Sequence, residues 1–111
     1  MSNGLFAENA LGALTIASAQ QLISQGKLDC QTLVQSYIKR AEDRSSLNTF
    51  ITLDVEGAVA LAKKQDDVWG RGENLKPLSG VPLVVKDNIH VMGMPATAGT
   101  RALSTFVPKA D

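Results

Sequence analysis

The stretch Val81-Pro82-Leu83-Val84-Val85-Lys86-Asp87-Asn88 decides how the chain is read. Five apolar or proline residues lead directly into a lysine. A nearly continuous apolar run of this kind predicts a strand covered on both faces, as in the interior of an α/β sheet. Pro82 must sit near the start of the strand, because proline cannot donate to a central ladder. Sites gather at the ends of strands in such sheets, so Lys86 is the first candidate for chemistry. Desolvation disfavours the charged form of a lysine, and one held in a polar pocket can then act as a base. The alternative is a solvated lysine, or one paired with Asp87. The spacing by itself leaves both open.

Upstream of this strand the pattern is helical. A short helix is predicted over about Ser18 to Gln25, capped by Thr15 or Ser18 and stopped by Gly26, which accepts a left-handed conformation without a Cβ penalty. Asp29 can cap a second helix. In it Leu33, Val34, Tyr37, Ile38 and Ala41 form one apolar face, and Lys39, Arg40, Glu42, Asp43 and Arg44 lie mostly away from it. Thr49-Phe50-Ile51-Thr52-Leu53 is short and rich in β-branched and aromatic residues, and predicts a strand. Asp54 then caps a third helix running to about Val68, with Lys63, Lys64, Asp66 and Asp67 on its outer side. Gly70 to Gly80 reads as a loop. Beyond the lysine, Gly93, Pro95 and Gly99 break up a short polar region.

The 111 residues fit one small domain or part of a larger one. Lys plus Arg and Asp plus Glu are both 11, so the formal net charge is zero and nothing suggests electrostatic capture of nucleic acid or of an anionic membrane. Aromatic residues, at 5%, are too few for a base-stacking surface. No apolar run approaches the ~20 residues needed to span a bilayer. The single cysteine, Cys30, cannot form an internal disulfide, which points to a reducing, cytoplasmic setting. With one cysteine and one histidine, a structural zinc site is not expected. Leu11 to Ala19 is mildly apolar and ends in a small-x-small triplet. No basic residue precedes Lys27, however, and Glu8 has the wrong sign for a signal peptide.

Other residues carry weaker signals. His90 is a lone histidine after a strand, with no serine or aspartate beside it in a recognised arrangement. Cys30 sits in the first turn of a helix, where the dipole can lower a thiol pKa, although free cysteines mostly pack as small hydrophobes. Met92 and Met94 flank Gly93 and serve best as gap-fillers. Asp87 and Asn88 suit the turn after the strand. Gly70-x-Gly72 lacks the third glycine and following helix of a phosphate loop.

Residues 77–89, Pro-Leu-Ser-Gly-Val-Pro-Leu-Val-Val-Lys-Asp-Asn-Ile, resemble a segment of the amidase-signature family, P-L-x-G-[IV]-P-x-x-[VI]-K-D-N-[IF]. Gly93-Met94-Pro95-Ala96-Thr97-Ala98-Gly99-Thr100 is similar to that family's G-x-x-T-T-x-G-S run, with Ala96 and Thr100 where Thr and Ser are usual. Leu33 to Arg40 resembles its L-x-x-x-Y-[LI]-x-R helix, and Leu47-Asn48-Thr49-Phe50 its L-N-A-[FY] strand. The resemblance covers nearly all the chain from about Thr15.

The resemblance implies an α/β fold with a mixed central sheet flanked by helices, of which residues 15–111 would be the N-terminal portion and residues 1–14 an extension. It implies hydrolysis of carboxylic amides through a serine nucleophile, a second serine on a cis peptide bond, and a lysine, with no metal or organic cofactor. By this likeness Lys86 is the catalytic lysine. The family's glycine- and serine-rich segment lies downstream of the matched region, and none of this chain's serines stands in such a context. The likeness also leaves room for an amidase-type subunit of a transamidation complex. A different class of reading is a non-catalytic interaction fragment.

In the family an aspartate after V-P-x-x usually begins another helix, so an end at Asp111 reads as a truncation. The expected partners are a small amide substrate in the complete enzyme and either a second copy or the missing C-terminal part, because an interior strand stripped of neighbours promotes association. The isolated chain is therefore predicted to oligomerise or fold only marginally. A monodisperse, cooperatively unfolding monomer in light scattering and urea titration counts against this.

Overall fold

The computed structural model describes residues 8–72 and 75–111. Among these residues four α-helices run in order: α1 (Glu8–Leu11), α2 (Ile16–Ser24), α3 (Cys30–Asp43) and α4 (Val55–Arg71), with a 3₁₀ turn at Ser45–Leu47. The chain divides into two units. The first takes the residues up to Arg44 together with Val55–Pro82, and the second takes Ser45–Asp54 with Leu83–Asp111.

The helices of the first unit begin where side chains can satisfy their free N–H groups. At α2, the Ser18 N–H donates to Thr15 Oγ1 at 3.0 Å and the Thr15 N–H donates to Ser18 Oγ at 2.9 Å, a reciprocal capping box. Gly26, at φ 73°, ends the helix as expected. At α3, the Thr32 N–H donates to Asp29 Oδ1 at 2.6 Å. Asp66, expected on the outer side of α4, faces α3 instead. Its carboxylate accepts from the Cys30 N–H at 2.6 Å and the Gln31 N–H at 3.1 Å. Two carboxylates thus cover the positive end of α3, where negative charge is favourable. An exposed position for Asp66 would have left those two donors without this partner.

The core lies where α3 packs against α4, with α1 against α3 and Ala19 and Ile23 contributed by α2. Leu11, Ala19, Ile23, Leu28, Leu33 and Ala62 are buried around the Cys30 thiol, with Tyr37 and Trp69 packed at the margin. α4 runs past its expected end at Val68 and includes Gly70. The Gly72 N–H closes it on the Val68 and Trp69 carbonyls, at 3.0 and 3.2 Å. A helical glycine costs only about 1 kcal/mol relative to alanine, and Trp69, held against the core, carries the helix through it.

The two expected strands are absent: no strand occurs among the described residues, so this piece is mostly helical and the predicted sheet is not present in it. Thr49 to Leu53 has no ladder partner, with Ile51 65% exposed. From Leu83 to Lys86 the backbone amides make no main-chain hydrogen bond among the described residues. Leu83 and Val84 are 79% and 71% exposed, the reverse of the expected burial on both faces. A strand acquires its secondary structure from the neighbour it pairs with, and the described residues supply none. Among them, no helix is long and apolar enough to cross a membrane.

Candidate functional site

The segment that leads to Lys86 is anchored at its start within the first unit. Gln20 Nε2, on α2, donates to the Pro77 carbonyl at 3.0 Å and the Ser79 carbonyl at 3.1 Å. The Lys76 N–H donates to Ser79 Oγ at 2.8 Å, and the Val81 N–H to the Leu78 carbonyl at 3.1 Å. Gly80 then passes directly over the core at φ +81°. A Cβ at this position would lie 2.7 Å from Cys30 Sγ and 3.0 Å from Trp69 Nε1. Only glycine combines that backbone conformation with so close an approach.

Cys30 lies under this crossing and is 1% exposed. Burial pushes its thiol up from 9.0 to about 12, and the hydrogen bond to Asp66 and that residue's negative charge push the same way. Of the two readings open for Cys30 in the sequence, the buried, packed thiol is the one found. A backbone hydrogen bond of Cys30 acts in the lowering direction, but desolvation and a carboxylate outweigh it. Because the folded value is raised, the stability it contributes is complete below pH 9 and is lost as pH rises from about 9 to about 12. At neutral pH the thiol is therefore expected to resist Ellman's reagent in the native chain and to react promptly in urea. Prompt reaction without denaturant contradicts this picture.

In the second unit, Lys86 opens a turn closed by the Ile89 N–H on the Lys86 carbonyl at 2.9 Å. The lysine side chain is exposed, and it forms no ion pair or side-chain hydrogen bond among the described residues. The expected alternative of pairing with Asp87 is not what is found, because Asp87 turns to Thr97. Asp87 Oδ2 accepts the Thr97 N–H at 3.2 Å and also the Thr97 hydroxyl, and the Asp87 carbonyl accepts the Ala98 N–H at 3.2 Å. The Thr97 hydroxyl holds the Asp87 carboxyl below its ordinary value. The lowered value means that the clamp is complete above the ordinary carboxylate pKa and is lost only as pH falls through the lowered one.

Thr97 is itself 7% exposed, and its Oγ1 accepts the Gly99 N–H at 3.1 Å. Further ties hold this loop together. The Ala96 N–H donates to the Phe106 carbonyl at 3.0 Å, and the Gly93 N–H to the Pro108 carbonyl at 3.1 Å. The Met92 N–H donates to Asp111 Oδ1 at 2.8 Å.

His90 is exposed and stacks obliquely on Phe106, with ring centroids 5.4 Å apart, as a packing residue. Met92 is 64% exposed and fills no gap, whereas Met94 is half-buried. Asn88 is exposed, so of the Asp87-Asn88 pair it is Asp87 that shapes the turn. The contacts of Gln20, Asp66 and the Thr97 hydroxyl are not legible in the sequence. Each acts on a residue far away along the chain, and no local pattern announces such a contact.

Comparison with known proteins agrees with the motif around the lysine. The family model described as Amidase matches residues 32–111. Mandelamide hydrolase of Pseudomonas putida is 41% identical over 105 residues, which is 94% of this chain and 21% of that protein. A glutamyl-tRNA(Gln) amidotransferase subunit of Synechococcus sp. (strain CC9605) is 36% identical over 96 residues, covering 86% of this chain and 20% of the relative. Its counterpart in Streptomyces coelicolor is 35% identical over 99 residues, covering 88% and 20%. The chain thus spans about a fifth of the length of the curated relatives it matches. No solved structure matches. With the family model covering all of the second unit's lysine segment and most of α3 and α4, the chain belongs to the amidase family.

Proposed function

We propose that this chain supplies Lys86 as the proton-relay base of an amide hydrolase, as the N-terminal portion of a larger amidase domain. In the neutral form its amine takes the proton of a nucleophilic serine through an intervening serine. As an ammonium it returns that proton to the departing amine. This is the logic of a nucleophile activated by a positioned base, with lysine in the role more often held by histidine. The two serines belong to polypeptide beyond the matched segment. The observation that carries the reading is the run Pro77 to Ile89, in which the motif residues surround a lysine whose amine has no partner among the described residues. The unpaired, exposed Leu83 and Val84 beside it offer backbone and apolar surface for further polypeptide to cover.

The 41% identity to mandelamide hydrolase favours an aryl-substituted small amide as substrate. The likeness to the amidotransferase subunits supports a second reading, in which the released ammonia passes onward within a complex. A chimera tests the relay role common to both: this chain replaces the matching fifth of mandelamide hydrolase, and release of ammonia from mandelamide is measured. The chimera is expected to hydrolyse mandelamide, while the 111-residue chain alone does not. Turnover by the chain alone overturns the proposal, and so does a well-folded chimera that releases no ammonia from mandelamide.

A further inference from the structure

Asp87 is the nearest carboxylate to Lys86 along the chain, and in the structure one of its carboxylate oxygens is engaged elsewhere. Its Oδ2 receives both the hydroxyl and the backbone N–H of Thr97, and its carbonyl receives the Ala98 N–H. Thr97 is buried, and its hydroxyl is itself fixed, donating to Asp87 and accepting from the Gly99 N–H at 3.1 Å. The Thr97 carbonyl in turn accepts from the Thr100 N–H and hydroxyl, each at 2.9 Å, so the loop cannot swing away without breaking several bonds together. Ala98 occupies a left-handed conformation at φ 50°, which an alanine adopts only when its surroundings hold it there. The other carboxylates of this unit are Asp54 and Asp111, and Lys86 pairs with neither. Asp111 receives the Met92 N–H. The cations Arg101 and Lys109 make no ion pair with Lys86, being of the same sign.

We propose that Thr97 is a positioning residue that holds the Asp87 carboxylate off the Lys86 amine, keeping that amine unpaired while fixing the turn that carries it. The consequence follows from elementary electrostatics. A carboxylate released beside an ammonium stabilises the charged form, and the fraction of neutral amine at a given pH falls. For a base that must be neutral to accept a proton, such pairing is a direct loss. The inference adds to the reading of Lys86 as the relay base and draws its purpose from it, but the sequestering itself is a property of this chain and is measurable without any hydrolysis.

The test uses the 111-residue chain and a reagent that reacts only with neutral amines, N-hydroxysuccinimidyl acetate at pH 8, with acetylation of Lys86 followed by peptide mass mapping. Thr97→Val keeps the shape of the side chain and removes the hydroxyl, whereas Thr97→Ser keeps the hydroxyl and removes the methyl. The valine variant is expected to acetylate Lys86 about two- to fivefold more slowly, the range set by an exposed ion pair, while Lys109 is unchanged. The serine variant is expected to behave as the parent. Asp87→Asn, which cannot pair with an ammonium, is expected to show no slowing, and to abolish the effect of Thr97→Val in the double variant.

A role confined to packing predicts the opposite order, with the serine variant the more affected, and that result overturns the proposal. So does an unchanged rate in Thr97→Val. If Thr97→Val unfolds, shown by loss of helical circular dichroism, the comparison of Thr97→Ser with the parent and with Asp87→Asn still decides. Slowing in the serine variant despite its hydroxyl contradicts the proposal, and parental rates in both support it. Because acetylation needs no active enzyme, an inactive chimera bears on the relay role alone and leaves this result intact.

Discussion

Replacing Lys86 by alanine in the mandelamide hydrolase chimera is expected to lower the rate of amide hydrolysis by about 10²–10⁴, the usual contribution of a positioned general acid–base group. The loss should fall on kcat and kcat/KM alike, since the proton transfers occur in the transition state and not in substrate binding. Folding should be untouched. In the 111-residue chain Lys86 is exposed and makes no side-chain bond among the described residues, so its removal there leaves no cavity and no orphaned partner. The helical circular dichroism of the 111-residue chain should therefore be the same with Lys86→Ala as without it. A variant that loses activity together with its folded structure points to a structural residue, and one that retains activity removes the basis for the proposed function.

Gly80→Ala is expected to have the largest effect on stability. Its added Cβ meets Cys30 Sγ at 2.7 Å and Trp69 Nε1 at 3.0 Å; Cys30 is fully enclosed in the core, and Trp69 is packed against it. The backbone at φ +81° adds its own strain for any residue with a side chain. Overpacking costs about 1–3 kcal/mol and the left-handed conformation about 1–2 kcal/mol, so a loss of about 2–5 kcal/mol is expected. Domains are stable by only ~5–15 kcal/mol in total, so this should lower sharply the urea concentration at which helical circular dichroism is lost. Adding Cys30→Ala removes the closest clash but not the backbone strain. The double variant should therefore recover part of the loss, and a double-mutant cycle reads the coupling. Full additivity of the two changes would falsify the close approach.

The helical part of the fold was legible because its signals are local. Thr15 and Asp29 cap the helices they were expected to cap, and Gly26 takes the left-handed conformation that ends α2. The apolar face of α3, with Leu33 and Ile38 buried, follows directly from residue spacing. What the sequence did not disclose depends on contacts across long stretches of chain. Asp66 looks like any solvent-facing acid until the N-terminus of α3 is set beside it, 35 residues and more away. Cys30 was open to opposite shifts, and burial decided the direction.

The strands failed for a related reason. Val81 to Val85 has the composition of an interior strand, but composition encodes a preference for a covered, paired position and not the partner that provides it. Around the lysine, the motif marked Lys86 and the turn-forming role of Asp87. The hydroxyl that binds Asp87 comes from Thr97, ten residues further on, and no local pattern marks it.

The claim on which the rest depends is that the Lys86 amine acts as a base and not only as a positive charge. Lys86→Arg in the chimera tests this most directly, because a guanidinium keeps the charge and cannot be deprotonated near neutral pH. Mandelamide hydrolysis by the arginine variant is predicted to be as slow as that of Lys86→Ala. An arginine variant that turns over at close to the parental rate contradicts the account.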